Sequence, residues 1–298
     1  MSHVLYGVSV GPGDPELMTL KACRIIRECG TVAFPGKAAE TEKAGGSLTR
    51  PGEPSESADP IFSDTMSAGT KHDTESGREN RPLPYTNPHA ADQLVCMEKG
   101  DFGTALAIAA SAVPEIREKK LLALDFPMTK DPDRLRQAHI KAARRLEEVL
   151  DHGEDVVFLT LGDVTIYSTF SYVQRIVESD GYQVRLISGV TSFCAAAARL
   201  GRPLVLGNEA LHICPADKVL QPEEQVRQKC DVYVLMKAGR NLKALKEALE
   251  RNGMDGQMIE NCGMPDEKVS DDLSQIPDKA GYFSIVIAGG GEKNDAPV

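Results

Sequence analysis

The chain has no tryptophan, and only 5% of its 298 residues are aromatic, which leaves little with which to build a stacking platform for single-stranded nucleic acid. It lacks a cationic excess as well. Lys+Arg 34 against Asp+Glu 44 gives a net charge of −10, the reverse of the basic footprint that phosphate-backbone binders carry. That sum does not exclude an anionic small molecule, because one pocket can be locally basic on an acidic protein. No apolar run reaches the roughly 18–20 residues that cross a bilayer, and Met1–Gly7 has neither the basic start nor the apolar stretch of a secretory signal. Cysteines are few and scattered: Cys23, Cys29, Cys96, Cys194, Cys214, Cys230 and Cys262 stand singly, with no Cys-x-x-Cys pair. This is the usage of reduced thiols, and it argues against a disulfide frame or a zinc site. A cytoplasmic protein with no metal, no nucleic-acid partner and no membrane partner is expected.

What is present is an ordinary globular composition, 41% hydrophobic and 26% charged, enough for one large or two modest domains. Val4 to Val10 runs apolar as a strand does, and Gly11-Pro12-Gly13-Asp14-Pro15 follows at once. Asp14 is placed to cap a helix with Pro15 at its first position. Met18, Ala22, Ile25, Ile26 and Cys29 then recur at helical spacing as far as Gly30. A second strand at 31–34 closes a βαβ unit. Further strands are expected at 121–126, 156–161, 184–187 and 232–236, around His212, near Met258 and at 283–288, with helices at 131–149, after Tyr167 to about Ser179, at 191–200 and at 242–251. Val156–Leu161 is apolar almost without a break, the mark of a strand covered on both faces. Strands alternating with helices predict an α/β fold with two sheets, divided into an N-terminal domain over 1–166 and a C-terminal domain over 167–298.

Residues 37–89 depart from this pattern. They are rich in Gly, Pro, Ser, Thr and Glu, without apolar periodicity, and cannot bury enough surface to offset their chain entropy. A loosely held surface insertion outside the core function is expected, and removal of Ser47–Pro84 should leave activity nearly intact. His72 and His89 within it read as solvated side chains rather than metal ligands.

The glycines at the strand ends are the informative feature. Gly7, Gly11 and Gly13 have the wrong spacing for G-x-G-x-x-G, and no Walker A motif is present. Gly289-Gly290-Gly291 precedes a polar tail and reads as a frayed terminus. Four strand ends nevertheless carry small or polar residues: Gly11–Asp14, Gly162-Asp163, Ser188–Ser192 and Met236-Lys237. In α/β proteins, ligands collect at the carboxyl ends of strands, where loops present backbone groups.

Taken together, "GVSVGPGDPELMTLKA", "FPMTKD", "VVFLTLGDVTIYSTFSYV", "SGVTSFCAAAARLGRPL", "VLMKAGRN" and "ENCGMPDEKV" resemble the tetrapyrrole methylases. Within that family the chain looks most like the precorrin-2/cobalt-factor II C20-methyltransferases of cobalamin biosynthesis. The resemblance covers essentially everything outside 37–89. It implies a two-domain tetrapyrrole methylase-like fold, a homodimer, and S-adenosyl-L-methionine held in a cleft between the domains. On the matching positions, Pro12 would approach the cofactor from the first loop. Gly162, Asp163, Ile166, Tyr167 and Ser168 would line its methionine and ribose portions. Thr191 and Ser192 would sit opposite, and Met236 with Ala238 would flank the adenosine; Ser284 is a weaker correspondence. Val164 and Ser188 stand where the family usually has proline, and each is expected to loosen a turn.

The resemblance also implies the reaction, transfer of a methyl group to C20 of cobalt-factor II or precorrin-2, with cobalt-factor II preferred. The alternatives are a methyltransferase acting on another corrinoid position and a non-catalytic S-adenosylmethionine-binding protein. Methyl transfer asks chiefly for orientation and exclusion of water. A base must still remove the C20 proton, and Asp14, Asp163, Tyr167 and His212 are the candidates, none of them singled out by the sequence. The carboxylates of the substrate call for Arg or Lys. Lys130 is the preferred candidate, with Arg199, Arg202, Lys237 and Arg240 also at element ends.

Overall fold

The computed structural model describes residues 3–36, 104–216 and 230–289; the expected insertion at 37–89, with His72 and His89, lies outside them. Val4–Ser9 (β1), Thr31–Pro35 (β2), Lys120–Leu124 (β3), Val156–Thr160 (β4) and Gln183–Ile187 (β5) form one sheet in the order β3-β2-β4-β1-β5. Every pairing in it is parallel. A parallel sheet needs cover on both faces, and the side-chain alternation of β4 shows where it comes from. Val157 and Leu159 pack with Leu20–Glu28 (α1) and Thr104–Ala112 (α2), while Val156 and Phe158 pack with Pro132–Asp151 (α3) and Phe170–Ser179 (α4). Phe158 and Phe170 are fully buried, their rings 5.1 Å apart, and burial of each contributes about 1.5–3 kcal/mol. Gly7 lies under the Phe170 ring, which any side chain there would displace. That glycine serves packing.

Leu211–Pro215 (β6), Val232–Met236 (β7), Gly256–Glu260 (β8), Lys268–Ser270 (β9) and Ser284–Gly289 (β10) form the second sheet, in the order β6-β7-β10-β8-β9. β6 runs parallel to β7, and β10 is antiparallel to both β7 and β8. Ser192–Arg199 (α5) contributes Phe193 and Ala195–Ala197 to one face, and Leu242–Arg251 (α6) contributes Leu242, Leu245 and Leu249 to the other. The first sheet thus takes in β5 and is covered by α4, both of which follow residue 166, and the second begins at Leu211.

Three local expectations are corrected. Asp14 does cap, but it caps only a 3-10 turn over Pro15–Leu17, its Oδ1 accepting from the Glu16 amide at 2.9 Å. The helix proper starts at Leu20 under a second cap, the Thr19 hydroxyl accepting from the Ala22 amide. The break lets Leu17 turn away and pack against the core of the second sheet. Gly289 is not frayed: it is the last residue of β10, and its carbonyl accepts from Arg202 Nη2 at 2.9 Å. β9 and α2 are elements that the sequence pattern does not announce. Among the described residues no helix is long and apolar enough to cross a membrane.

Candidate active site

The carboxyl ends of β1, β2, β4, β7 and β8 and the start of α5 meet the amino end of β10 around one cavity of about 440 Å³, a size that suits a small organic ligand. β10 joins them because it runs against its neighbours. Pro12 comes from the first loop, Pro35 from the end of β2, Thr160–Gly162 and Ile166–Thr169 from the end of β4, and Ser192 from the start of α5. Met236, Lys237, Cys262 and Tyr282–Ile285 supply the wall from the second sheet.

Two turns set the floor. The Gly162 amide donates to the Gly11 carbonyl at 2.7 Å, with φ of +76° at Gly11 and +72° at Gly162, values that glycine alone adopts without strain. A Cβ on Gly162 would meet nothing within 4 Å, so this stretch of wall is bare backbone open to a ligand. Gly13 is needed for a different reason: a Cβ there would collide with the Cys262 carbonyl oxygen. The first loop therefore sits directly on the turn after β8. Glu267 secures that turn, with Oε2 accepting from the Gly263 amide at 2.8 Å and Oε1 from Arg199 Nε. Arg199 is thereby engaged within the protein and is not a free cation for substrate.

Asp163 is buried and does not line the cavity. Its Oδ1 accepts from the amide and hydroxyl of Thr165, and its Oδ2 from the Ser188 hydroxyl and the Gly189 amide, both at 2.7 Å. Burial alone would raise its pKa, but these hydrogen bonds outweigh burial and hold the carboxyl below the usual carboxylate range. It is a clamp between two loops. Ser188, expected to loosen its turn, supplies one of the clamp's donors. At Val164 the amide donates to Ser9 Oγ at 2.8 Å, and the side chain is 1% exposed. At both positions the chain uses a donor that proline lacks.

Tyr167 holds a left-handed backbone, φ 49°, and its hydroxyl donates to the Ile213 carbonyl of β6 at 3.1 Å. Burial raises its pKa, the nearby Cys214 adds to this, and Lys237 opposes. Ser168 Oγ and Thr160 Oγ1 are 2.9 Å apart and buried. Thr191 lies beside the cavity rather than in its wall, its Oγ1 buried without a hydrogen-bond partner. Ala238, 1% exposed, is packed in the core between the second sheet and α6 rather than in the cavity wall. Cys262, which sequence reasoning did not select, faces the cavity as a thiol, pushed up to about 12 first by burial and then by Glu267. Phe158, Tyr282 and Phe283 were also missed. Their signal is weak, two aromatics just ahead of an apolar strand and one within another.

Of the four proposed bases, only Tyr167 lines the cavity; Asp14 and Asp163 are engaged as described, and the His212 ring packs on Tyr233 at 5.6 Å. Of the five proposed cations, only Lys237 does. Arg202 bonds Gln257 and the Gly289 carbonyl, while Lys130 and Arg240 are exposed and outside the wall. Among the described residues the wall contains no carboxylate and no imidazole.

The sequence matches the Tetrapyrrole (Corrin/Porphyrin) Methylases over residues 4–81 and 89–277. It is 36% identical to a "Probable cobalt-precorrin-2 C(20)-methyltransferase" of Methanocaldococcus jannaschii, over 89% of this chain and 85% of that protein. To the Precorrin-2 C(20)-methyltransferase of a Sinorhizobium it is 24% identical, over 96% of this chain and 95% of that one. The fold is similar to the crystal structure of the uroporphyrin-III C-methyl transferase of Thermus thermophilus complexed with S-adenosylhomocysteine. That likeness has a TM-score of 0.52 and 15% identity, and covers 96% of this chain and 92% of the other. The chain belongs to the tetrapyrrole (corrin/porphyrin) methylases.

Proposed function

We propose that this protein is an S-adenosylmethionine-dependent C-methyltransferase acting on C20 of a precorrin-2-type tetrapyrrole in cobalamin biosynthesis, with the cobalt-bearing macrocycle as its preferred substrate. The observation that carries the reading is the composition of the cavity wall: backbone, small residues, apolar side chains and aromatic rings with a single lysine, and no carboxylate or imidazole among the described residues. Such a wall is suited to placing two reactants and excluding water rather than to acid–base work. The preference for cobalt rests on the 36% identity to one cobalt-precorrin-2 relative; a second such relative and the precorrin-2 one are both 24% identical and do not separate the two substrates.

The residues present fit the methyl donor. Gly162 offers open backbone with no atom in the space a Cβ would take, and Pro12, Ile166, Ser192 and Met236 surround it with small or apolar surface. When bound, S-adenosylmethionine supplies an electrophilic methyl on sulfonium, matched to an electron-rich meso carbon of a reduced tetrapyrrole. Gly162 and Pro12 would receive the donor from one side, and Met236 with Ile285 from the other. Asp163 keeps the loops after β4 and β5 together without entering the cavity. Tyr167, its proton committed to the Ile213 carbonyl, orients the wall. The same reading expects a homodimer, which light scattering would test.

The test is incubation with methyl-labelled S-adenosylmethionine and each macrocycle separately. Label should enter the cobalt-bearing macrocycle faster than the metal-free one. Donor binding without transfer to either would replace the enzyme reading with that of a binding protein.

A further inference from the structure

We infer that Lys237 anchors a carboxylate side chain of the acceptor macrocycle at the rim of the cavity; this rests on the tetrapyrrole reading above. Lys237 is the one cation among the cavity's described lining residues. It follows β7 directly, in a left-handed conformation with φ 58°, a backbone state that lysine adopts only at a cost. The chain is held there from behind. Gly239 is packed so tightly under the carbonyls of Ala280 and Gly281 that no side chain fits, and the Ala280 amide donates back to the Gly239 carbonyl.

Among the described residues the charge is left without a counter-ion. Arg199 is paired with Glu267, and Lys268 with Glu260. Lys237 has no carboxylate within ion-pair distance among the described residues, and its ammonium rests 5.5 Å from the centroid of the Tyr282 ring. A face-on ring is a weaker partner for an ammonium than a carboxylate is, so an arriving carboxylate displaces the contact. The surroundings indicate what bears that carboxylate. Tyr167, Tyr282 and Phe283 all line the cavity and are 50%, 42% and 38% exposed. Three half-exposed rings beside one free ammonium suit a flat, apolar macrocycle fringed with acidic side chains. The donor's amino-acid carboxylate is the other source of this chemistry, and the experiment separates the two.

The variants are Lys237→Met, Lys237→Gly and Lys237→Arg in the full chain. Glycine removes the charge while relieving the left-handed backbone, so its loss of binding cannot come from misfolding of the turn. For each, calorimetry with S-adenosylhomocysteine gives donor affinity, and label transfer gives KM and kcat for the cobalt-bearing macrocycle. Lys237→Met and Lys237→Gly should raise the macrocycle KM by about tenfold or more, with the effect carried by KM rather than kcat. Donor affinity should stay unchanged, and Lys237→Arg should recover part of the loss. An unchanged macrocycle KM in the Met and Gly variants overturns the assignment while the reaction stands. A loosening of donor affinity in step with KM also overturns it, placing the carboxylate on the donor. A wild type that transfers no methyl group overturns both.

Discussion

Oδ2 of Asp163 lies 2.7 Å from the Ser188 hydroxyl and 2.7 Å from the Gly189 amide, so one carboxylate ties the loop after β4 to the loop after β5. Hydrogen bonds to a charged group contribute about 1.5–3 kcal/mol. Ser188→Ala should therefore cost about 1–2 kcal/mol in urea unfolding. Asp163→Asn should cost more, because a neutral amide accepts more weakly at every contact. The pH dependence has a defined sign. The folded pKa is depressed, so the carboxylate stabilises the fold above its unfolded pKa of about 4, and that contribution disappears as pH falls through the lower folded value. The gap between wild type and Asp163→Asn should be full at pH 7 and close progressively below about pH 4.

Tyr167→Phe separates positioning from proton removal. Loss of the hydroxyl removes one hydrogen bond to Ile213, a change of about 1 kcal/mol, and the ring stays in the wall. The expected outcome in steady-state assays is a modest rise in donor KM with kcat nearly retained. A collapse of kcat at unchanged KM would make Tyr167 the base.

Gly13→Ala tests the seat of the first loop. The added methyl would strike the backbone carbonyl of Cys262, which cannot move without shifting the turn that Glu267 holds. Overpacking of this kind costs about 1–3 kcal/mol. Thermal unfolding should show that loss, and calorimetry should show weakened donor binding.

Thiol chemistry should divide the cysteines. Cys262 is pushed up to about 12 by burial, so almost none of it is thiolate at pH 8, whereas Cys194 is exposed. Peptide mapping after brief iodoacetamide treatment at pH 8 should find Cys194 alkylated and Cys262 intact. Prompt alkylation of Cys262 would contradict the buried, protonated state.

The two-layered cover of the first sheet was legible in the sequence because Val156–Thr160 is apolar at every position but the last, and only a strand buried on both faces reads that way. The strand-end loops were legible because glycine and proline mark them. Partnerships across long stretches of chain were not. Arg199 reads as a spare cation until Glu267, 68 residues on, meets it. Asp163 reads as a ligand-facing carboxylate until Ser188 and Gly189 close on it. Asp14-Pro15 reads as the start of a long helix, but Leu17 packs on the second sheet and the helix waits for the Thr19 cap before Leu20. Local propensity cannot report such contacts, because each is decided by a residue from another element.

The most direct measurement of the cavity's role is a calorimetric titration of S-adenosylhomocysteine into wild type, Gly162→Ala and Gly162→Trp. Both substitutions carry the cost of a left-handed backbone, about 1–2 kcal/mol, but only the indole fills the open space beside Gly162. Wild type should bind, the alanine variant should bind more weakly, and the tryptophan variant should give no binding heat while still unfolding cooperatively. Equal affinity of the tryptophan variant and wild type would mean that the donor does not occupy this cavity.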